Sequence, residues 1–472
     1  MRRVYMDSNA TTPLLPEVVE AMSPYWTTHF GNASSIHQHG QQARTAVDLA
    51  RETMARFFNC HDAEVVFNSG GTEGDNTAIF GLLHPGDHFI TTSIEHSAVL
   101  QAAHKLARHG VETTFVAPQP SGLIDPTDIL RAIRPETRLI SVMLANNETG
   151  VLQPVEEIGK IAHATGVFFH IDAVQGAGKI ELDVRRIGCH LLSISAHKMH
   201  GPKGIGAMFV RRGTPIEPLL VGGSHERRQR AGTENVAGIV GLAKAAELAM
   251  HSLDDGTIYR LAQMRDRLEA GILQIPGTGV NGAALLPGTG MNGAPPLSAP
   301  EGRDENSPGQ AKRSPGKDAS TDLAPRRGAV NGFVHQEPFR TPPGAPDPSH
   351  SGTGDSKNIS RATSERPLHA MVPRAANTTN IWFDHLEGEA LVIALDLKGV
   401  SISGGSACHS GATEPSHVLM AMGLDKTRAR ASLRFSLLKT VTDADIDHVL
   451  EVVPTAVNHL RALSPVEAGT LG

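Results

Sequence analysis

Several short segments of this 472-residue chain carry side chains that plain turns do not need. In FNSGGTEGDN (67–76) an apolar run gives way to Gly70, Gly71 and Thr72. Backbone N–H groups at such a strand–helix junction, with a hydroxyl beside them, can hold an anion. The same residues also suit an ordinary capped turn, and the lysine of a nucleotide P-loop is missing. In HIDAVQ (170–175) Asp172 closes a very apolar run, with Gln175 three residues on. A carboxylate there is costly unless it meets a cation or several donors, although capping a following helix would also use it. SISAHKMHGPKGIG (193–206) offers Ser195, His197 and Lys198. Lys198 fits either a solvated amine or one held against apolar walls for Schiff-base chemistry, and Lys203 is a rival on a looser loop. SGGSACHSGATEPSHVL (403–419) sets Cys408 among small polar residues, where a thiol reacts rather than fills a core; Cys60 and Cys189 read as structural. His96 (in 92–99) and Asn147 (in 145–150) follow two further apolar runs. An anion loop, an aspartate, a lysine and a flat imidazole together suit a phosphorylated pyridine aldehyde better than a nucleotide.

Such residues meet only if a scaffold lines up strand ends. From about 16 to 260, apolar runs at 65–68, 88–93, 139–146, 167–173 and 190–195 alternate with helical stretches at 42–58, 97–108 and 154–163. Strands buried on both faces and separated by helices predict βαβ units around a mostly parallel sheet, with ligands beyond the strands' carboxyl ends. A strand at 377–383, a helix at 387–397, strands at 400–403 and 431–437 and a helix at about 442–462 predict a smaller α+β domain. Between them, residues 276–376 hold half of the chain's 30 prolines and a short duplication, PGTGVNGA (276–283) and PGTGMNGA (287–294). That composition predicts a disordered insert.

The ordered motifs YMDSNATTP (5–13), GNASSIHQHG (31–40), SGGTEGDN, SIEH, NNETG, HIDAVQ, SAHKMHGPKG, QRAGTEN (229–235), SGGSAC and SLRFSL resemble the NifS/IscS-type cysteine desulfurases of the class V aminotransferase group. The resemblance spans residues 4–275 and 377–460. It implies an α/β architecture of the pyridoxal-phosphate-dependent transferase fold type I. The large domain would take residues 16–260, and 1–15, 261–275 and 377–472 would form the small one. It further implies pyridoxal 5'-phosphate on Lys198, with His96 stacked on the ring and carrying protons, and Asp172 on the pyridine nitrogen. Asn147 and Gln175 would bond the phenolic oxygen, and Gly71, Thr72, Ser195 and His197 the phosphate. Thr233 would reach the phosphate of a partner subunit, making a homodimer part of the site. Arg434, assisted by Asn147, would clamp the α-carboxylate of L-cysteine, and Cys408 would accept its sulfur, leaving alanine. The persulfide would pass to a sulfur-acceptor protein for iron–sulfur cluster assembly or for tRNA or cofactor thiolation; in relatives the equivalent of Cys408 can also ligate a cluster. The same residues serve a selenocysteine lyase or another class V lyase or aminotransferase, and a non-catalytic scaffold homologue is the reading from a different class.

Composition agrees with an enzyme of small molecules. Forty-three basic against 49 acidic residues give a net charge of −6, with no basic field for nucleic acid. Three cysteines make no disulfide framework, no apolar run of about 18 residues is expected to span a membrane, and the first residues lack a signal-peptide core. The expected location is cytoplasmic.

Overall fold

The computed structural model of the chain describes residues 2–282, 373–404 and 414–463. After β1 (Val4–Tyr5), the central sheet is built from β2 (Val65–Asn68), β3 (His88–Thr92), β4 (Glu112–Val116), β5 (Thr137–Ser141), β6 (Phe168–Asp172), β7 (Leu191–Ser195) and β8 (Gly206–Val210). Their spatial order is β2-β8-β7-β6-β5-β3-β4. The run from β7 to β4 is parallel, and β8 is antiparallel to both of its neighbours. This is the mostly parallel α/β sheet that the apolar runs predict. β4 and β8 are additional to those runs: β4 is a partly exposed edge strand, and β8 leaves a Gly-rich loop.

Successive residues of each strand enter opposite cores. Val65, Phe67, Ile90, Ile140, Leu192 and Phe209 pack beneath the helices Gln38–Phe58, Val155–Thr165 and Val236–Asp254. Val66, Phe89, Leu139, Leu191 and Met208 pack beneath the helices Gly71–Phe80 and Ser97–Ala107. Burial on both faces is why these strands are unbroken apolar runs in the sequence. The helix Val236–Asp254 is long and apolar enough to cross a membrane by length and composition, although Lys244 and Glu247 interrupt its apolar residues. Most of its length is buried against this protein's own core, the pattern of a central helix in a globular domain.

Two antiparallel steps restore direction, so β2 ends on the same edge of the sheet as β7, β6, β5 and β3. Asn68 of β2 and Ser195 of β7 both pair with Gly206. A Cβ at Gly206 would lie 2.4 Å from Ile194 O and 2.7 Å from Gly70 Cα. Glycine is therefore what allows the two strand ends to close around β8.

The outer edge of β2 meets side chains instead of another strand. Phe67 N donates to Glu226 Oε2 at 3.0 Å, and Val65 O accepts from Arg51 Nη1 and Arg227 Nη2, both at 2.7 Å. Arg51 also holds both oxygens of the Glu226 carboxylate, at 2.8 and 2.7 Å. The segment that brings Glu226 there is bent hard: Glu226, Arg227 and Arg228 have φ of 44°, 55° and 70°, a left-handed run that side chains disfavour.

The remaining strands are β9 (Thr278–Val280), β10 (Thr378–Phe383), β11 (Val400–Ser401), β12 (Ser403–Gly404) and β13 (Ser432–Ser436). An antiparallel sheet runs β12-β13-β10-β9, and β11 pairs in parallel with β1. Met6, Leu268, Phe383, Leu391, Phe435, Val449 and Val453 share an apolar cluster there, closed by the helices Thr257–Ile272 and Asp443–Leu463. The margins of the expected insert need correction. Thr278–Val280 forms β9, and Arg374 bonds the buried Glu269 at 2.7 and 3.1 Å. Residues 283–372, which hold the second copy of the duplication, lie outside the described residues.

Breaking the buried Arg51–Glu226 pair leaves a carboxylate without its cation at the sheet edge. Arg51→Ala is expected to lower stability by about 3–5 kcal/mol in a denaturant titration. Lys244→Ala, which removes a surface pair with Glu247, is expected to cost less than about 1 kcal/mol.

Candidate active site

The strand ends gather the residues singled out from the sequence. Asp172 ends β6, is 5% exposed, and accepts a hydrogen bond from Val174 N at 2.9 Å. Burial pushes its carboxyl above the usual range, while His96 and Lys198 draw it back down. The expected alternative use as a helix cap is not taken: β6 runs into a bend, and the next helix begins at Val184. His96 caps the helix Ser97–Ala107, its Nδ1 accepting from Ala98 N at 3.1 Å, which leaves the ring's hydrogen on Nε2.

Lys198 lies in a tight turn directly after β7, under residues 9–13. Its Nζ donates to Asn9 O and Ala10 O at 2.5 and 3.0 Å. The overlying strap is fixed by Thr12 N and Thr12 Oγ1, both donating to His197 O at 2.9 Å. His197 Nδ1 lies 3.1 Å from Thr11 Oγ1, and burial with the nearby Lys198 and Lys203 cations pushes the imidazole down to about 4. His197 is thus neutral at ordinary pH.

The Gly70–Gly71 junction opens a ten-residue helix whose N-terminus has no side-chain cap. A Cβ on Gly71 would sit 2.5 Å from Val174 Cγ2, so the helix start packs directly on the bend behind Asp172. Thr72 is exposed and shares a cleft of about 330 Å³ with His96 and Asn76. Ser195 is buried next to Gly70. Glu73, in the same first turn, is bound by Arg230 at 2.8 and 3.2 Å. Thr233, three residues beyond Arg230, is exposed.

Asn146 shapes the loop after β5. Its Oδ1 accepts from Glu148 N and Thr149 N, and its Nδ2 donates to Ile94 O, which leaves Asn147 at the tip. Asn147 Oδ1 is buried without a partner. From β13, Arg434 donates to Asn147 O at 2.9 Å and to Asp7 Oδ1 at 2.7 Å, and its Nε is buried without a partner. The expected bidentate clamp on a substrate carboxylate therefore requires the Asp7 ion pair to open.

Cys408 lies outside the described residues, and so does any role for it as a cluster ligand. Its flanks are anchored at the site: Ser403 pairs with Arg434, Ser416 Oγ donates to Glu148 Oε2, and His417 Nε2 lies 3.0 Å from Glu95 O. Cys60 and Cys189 are pushed up to about 12 by burial, as structural thiols are. Among the described residues no group of three or more His, Cys, Asp or Glu side chains is placed to hold a metal.

Three residues of the site were not singled out in the sequence. Asn9 and Asp7 sit in the YMDSNATTP motif, but an Asn between Ser and Ala looks like any turn residue. Lys179 lies four residues after Gln175 and meets it on the same bend. Behind Asp172, His170 Nδ1 lies 2.8 Å from Ser141 Oγ and His170 Nε2 3.0 Å from Ser193 Oγ, with Asp75 at 3.5 Å. Burial pushes His170 down to about 3 and Asp75 well up, both away from their charged forms.

The aminotransferase class-V family pattern matches residues 4–288. The chain belongs to this family. It is 39% identical over 469 residues to a protein named cysteine desulfurase IscS from Methanosarcina thermophila, covering 98% of this chain and 94% of that one. It is 40% identical over 478 residues to a cysteine desulfurase from Trichormus azollae, covering 100% and 98%. Among solved structures, a NifS-like protein superposes with a TM-score of 0.73 at 27% identity, over 97% of this chain and 100% of that one. A structure of SspA in complex with cysteine superposes with a TM-score of 0.65 at 28% identity, over 92% and 98%.

The class-V enzymes use pyridoxal 5'-phosphate, and the residues present fit it. A buried carboxylate raised by desolvation can meet a protonated ring nitrogen, and a glycine-opened helix N-terminus without a side-chain cap can meet a phosphate. Gly71→Ala is expected to weaken cofactor retention about tenfold in an equilibrium titration, because overpacking costs about 1–3 kcal/mol. Val174→Ala in the same chain is expected to restore most of it, since the clash is with that side chain.

Proposed function

We infer that this chain is a pyridoxal-phosphate-dependent cysteine desulfurase that moves the sulfur of L-cysteine onto Cys408. The observation that carries the reading is the convergence of Lys198, Asp172 and His96 at one sheet edge, in a chain that matches cysteine desulfurases end to end.

In this reading Lys198 holds the cofactor and Asp172 meets its ring nitrogen. Asn147 and Gln175 donate to its phenolic oxygen, and Gly71, Thr72, Ser195 and His197 hold its phosphate. Thr233 completes the phosphate site of a second copy, so the working unit is a homodimer. The bound cofactor supplies an electron sink next to the substrate's α-carbon. Arg434 turns from Asp7 to the incoming carboxylate, an exchange of one charge-assisted partner for another. Lys198, the residue that would hold the cofactor, would take the α-proton of the bound substrate. The Cys408 thiolate attacks the substrate sulfur, so the carbon–sulfur bond breaks as a sulfur–sulfur bond forms. The β-carbon takes a proton in place of sulfur, and His96 moves protons between the substrate and the thiol. Cysteine and one enzyme thiol give alanine and one persulfide, with no outside oxidant.

The persulfide then passes to a sulfur-acceptor protein. The cysteines at 60 and 189 are free thiols, in keeping with a cytoplasmic setting.

Cys408→Ser is expected to abolish persulfide and lower alanine release from L-cysteine by roughly a thousandfold or more while keeping the cofactor's visible band. Lys198→Ala is expected to lose the borohydride-trapped adduct. Persulfide formed at full rate by the Cys408→Ser protein would overturn the reading.

A further inference from the structure

Lys179 is a second half-buried amine beside Lys198 that the reaction scheme above does not use. It stands on the bend after β6, where Gly176 and Gly178 let the chain turn tightly. A Cβ on Gly176 would lie 2.4 Å from Leu144 Cδ2, and Gly178 has a φ of 74°. The bend returns Lys179 to Gln175: Nζ is 3.0 Å from Gln175 Oε1, 3.1 Å from Gln175 O and 3.4 Å from Asn9 Oδ1. The other end of the same carboxamide, Gln175 Nε2, donates to Asn9 O at 2.9 Å.

These contacts allow one orientation of the amide. A peptide carbonyl only accepts, so Asn9 O requires the Gln175 nitrogen on its side, which leaves Oε1 to accept from Nζ. Turning the amide over would set Oε1 against Asn9 O, a repulsive contact at a buried carboxamide, and would break the Nζ–Oε1 hydrogen bond. We infer that Lys179 is a positioning residue that locks the Gln175 carboxamide with its nitrogen as the donor, keeping the second Nε2 hydrogen for the cofactor. This rests on the pyridoxal-phosphate reading of the site, and Lys179 acts through Gln175 rather than by touching the cofactor.

The charges around Lys179 favour such a role over a surface salt bridge. The groups that face it are Lys198 on the turn after β7, Arg434 on β13 and His200 on the following loop. Burial, with Lys198 and Arg434 adding, pushes Lys179 down to about 7. Its donors are spent on neutral oxygens, two of Gln175 and one of Asn9, and no carboxylate pairs with it among the described residues.

The test is the pH titration of the visible absorbance band of the full-length, cofactor-loaded protein. A donor to the cofactor's oxygen disfavours the protonated chromophore, so its loss raises the midpoint. Lys179→Met is expected to raise the midpoint by about one pH unit, the size of one hydrogen bond to a charged group. Lys179→Arg, which keeps a donor, is expected to bring it at least halfway back. Gln175→Ala is expected to give a shift like that of Lys179→Met, and the double variant no more than Gln175→Ala alone. An unchanged midpoint in Lys179→Met, or additive shifts in the double variant, would overturn the role of Lys179 while leaving the wild-type band intact. A wild-type protein that forms no band at all with pyridoxal phosphate would overturn the functional reading as well.

Discussion

One buried asparagine ties the site together. Every polar atom of Asn9, which is 2% exposed, is used. Its N–H reaches Ser436 on β13, and its carbonyl takes Lys198 and Gln175. Its side-chain oxygen takes Asn377 and Lys179, and its amide nitrogen reaches Asn147 O and Thr378. Three loops of the parallel sheet and two strands of the antiparallel one thus share a single residue. Such a fully satisfied polar network is rigid because each unmade bond would strand a buried group. It explains why residues 9–13, far from Lys198 in sequence, belong to the same candidate site.

The site's electrostatics follow from the same crowding. Lys198, Lys179 and Arg434 stand close together, with Asp7 and Asp172 as the nearby carboxylates. Burial works against charge on the deeper groups: it pushes Glu95 up to about 8, His170 down to about 3 and Asp75 upward. Positive charge is therefore in excess at the mouth, where a phosphate and an amino-acid carboxylate have to be received.

How far the sequence reached depended on how local each signal was. Strands buried on both faces announce themselves as apolar runs, so β2, β3, β5, β6 and β7 are legible along with the polar residues at their ends. β4 carries Thr113 and Thr114 on a partly exposed edge, and β8 begins in Gly-rich sequence, so neither stands out. The residues that give Lys198 its place are on the opposite end of the chain, and no periodicity points from 198 to 9. The reach of Lys179 to Gln175 depends on a glycine bend whose direction only packing determines. Asp7 on Arg434 is likewise a tertiary pairing, which a motif read along the chain does not contain. The insert's edges were blurred for a related reason: the first copy of the duplicated segment supplies β9, although the two copies look alike.

The way β2 is enclosed has a consequence for how the chain comes into being. β2 is finished by residue 68, but its one ladder partner, β8, starts at Gly206, and the Glu226 carboxylate that covers its other edge comes later still. A nascent chain emerging N-terminus first therefore holds an apolar strand with both edges open while about 140 further residues are made, a stretch of roughly ten seconds or more at ordinary synthesis rates. Unpaired strand edges recruit other strands. Of the sheet's two edge strands, the one made first is thus the last to be secured.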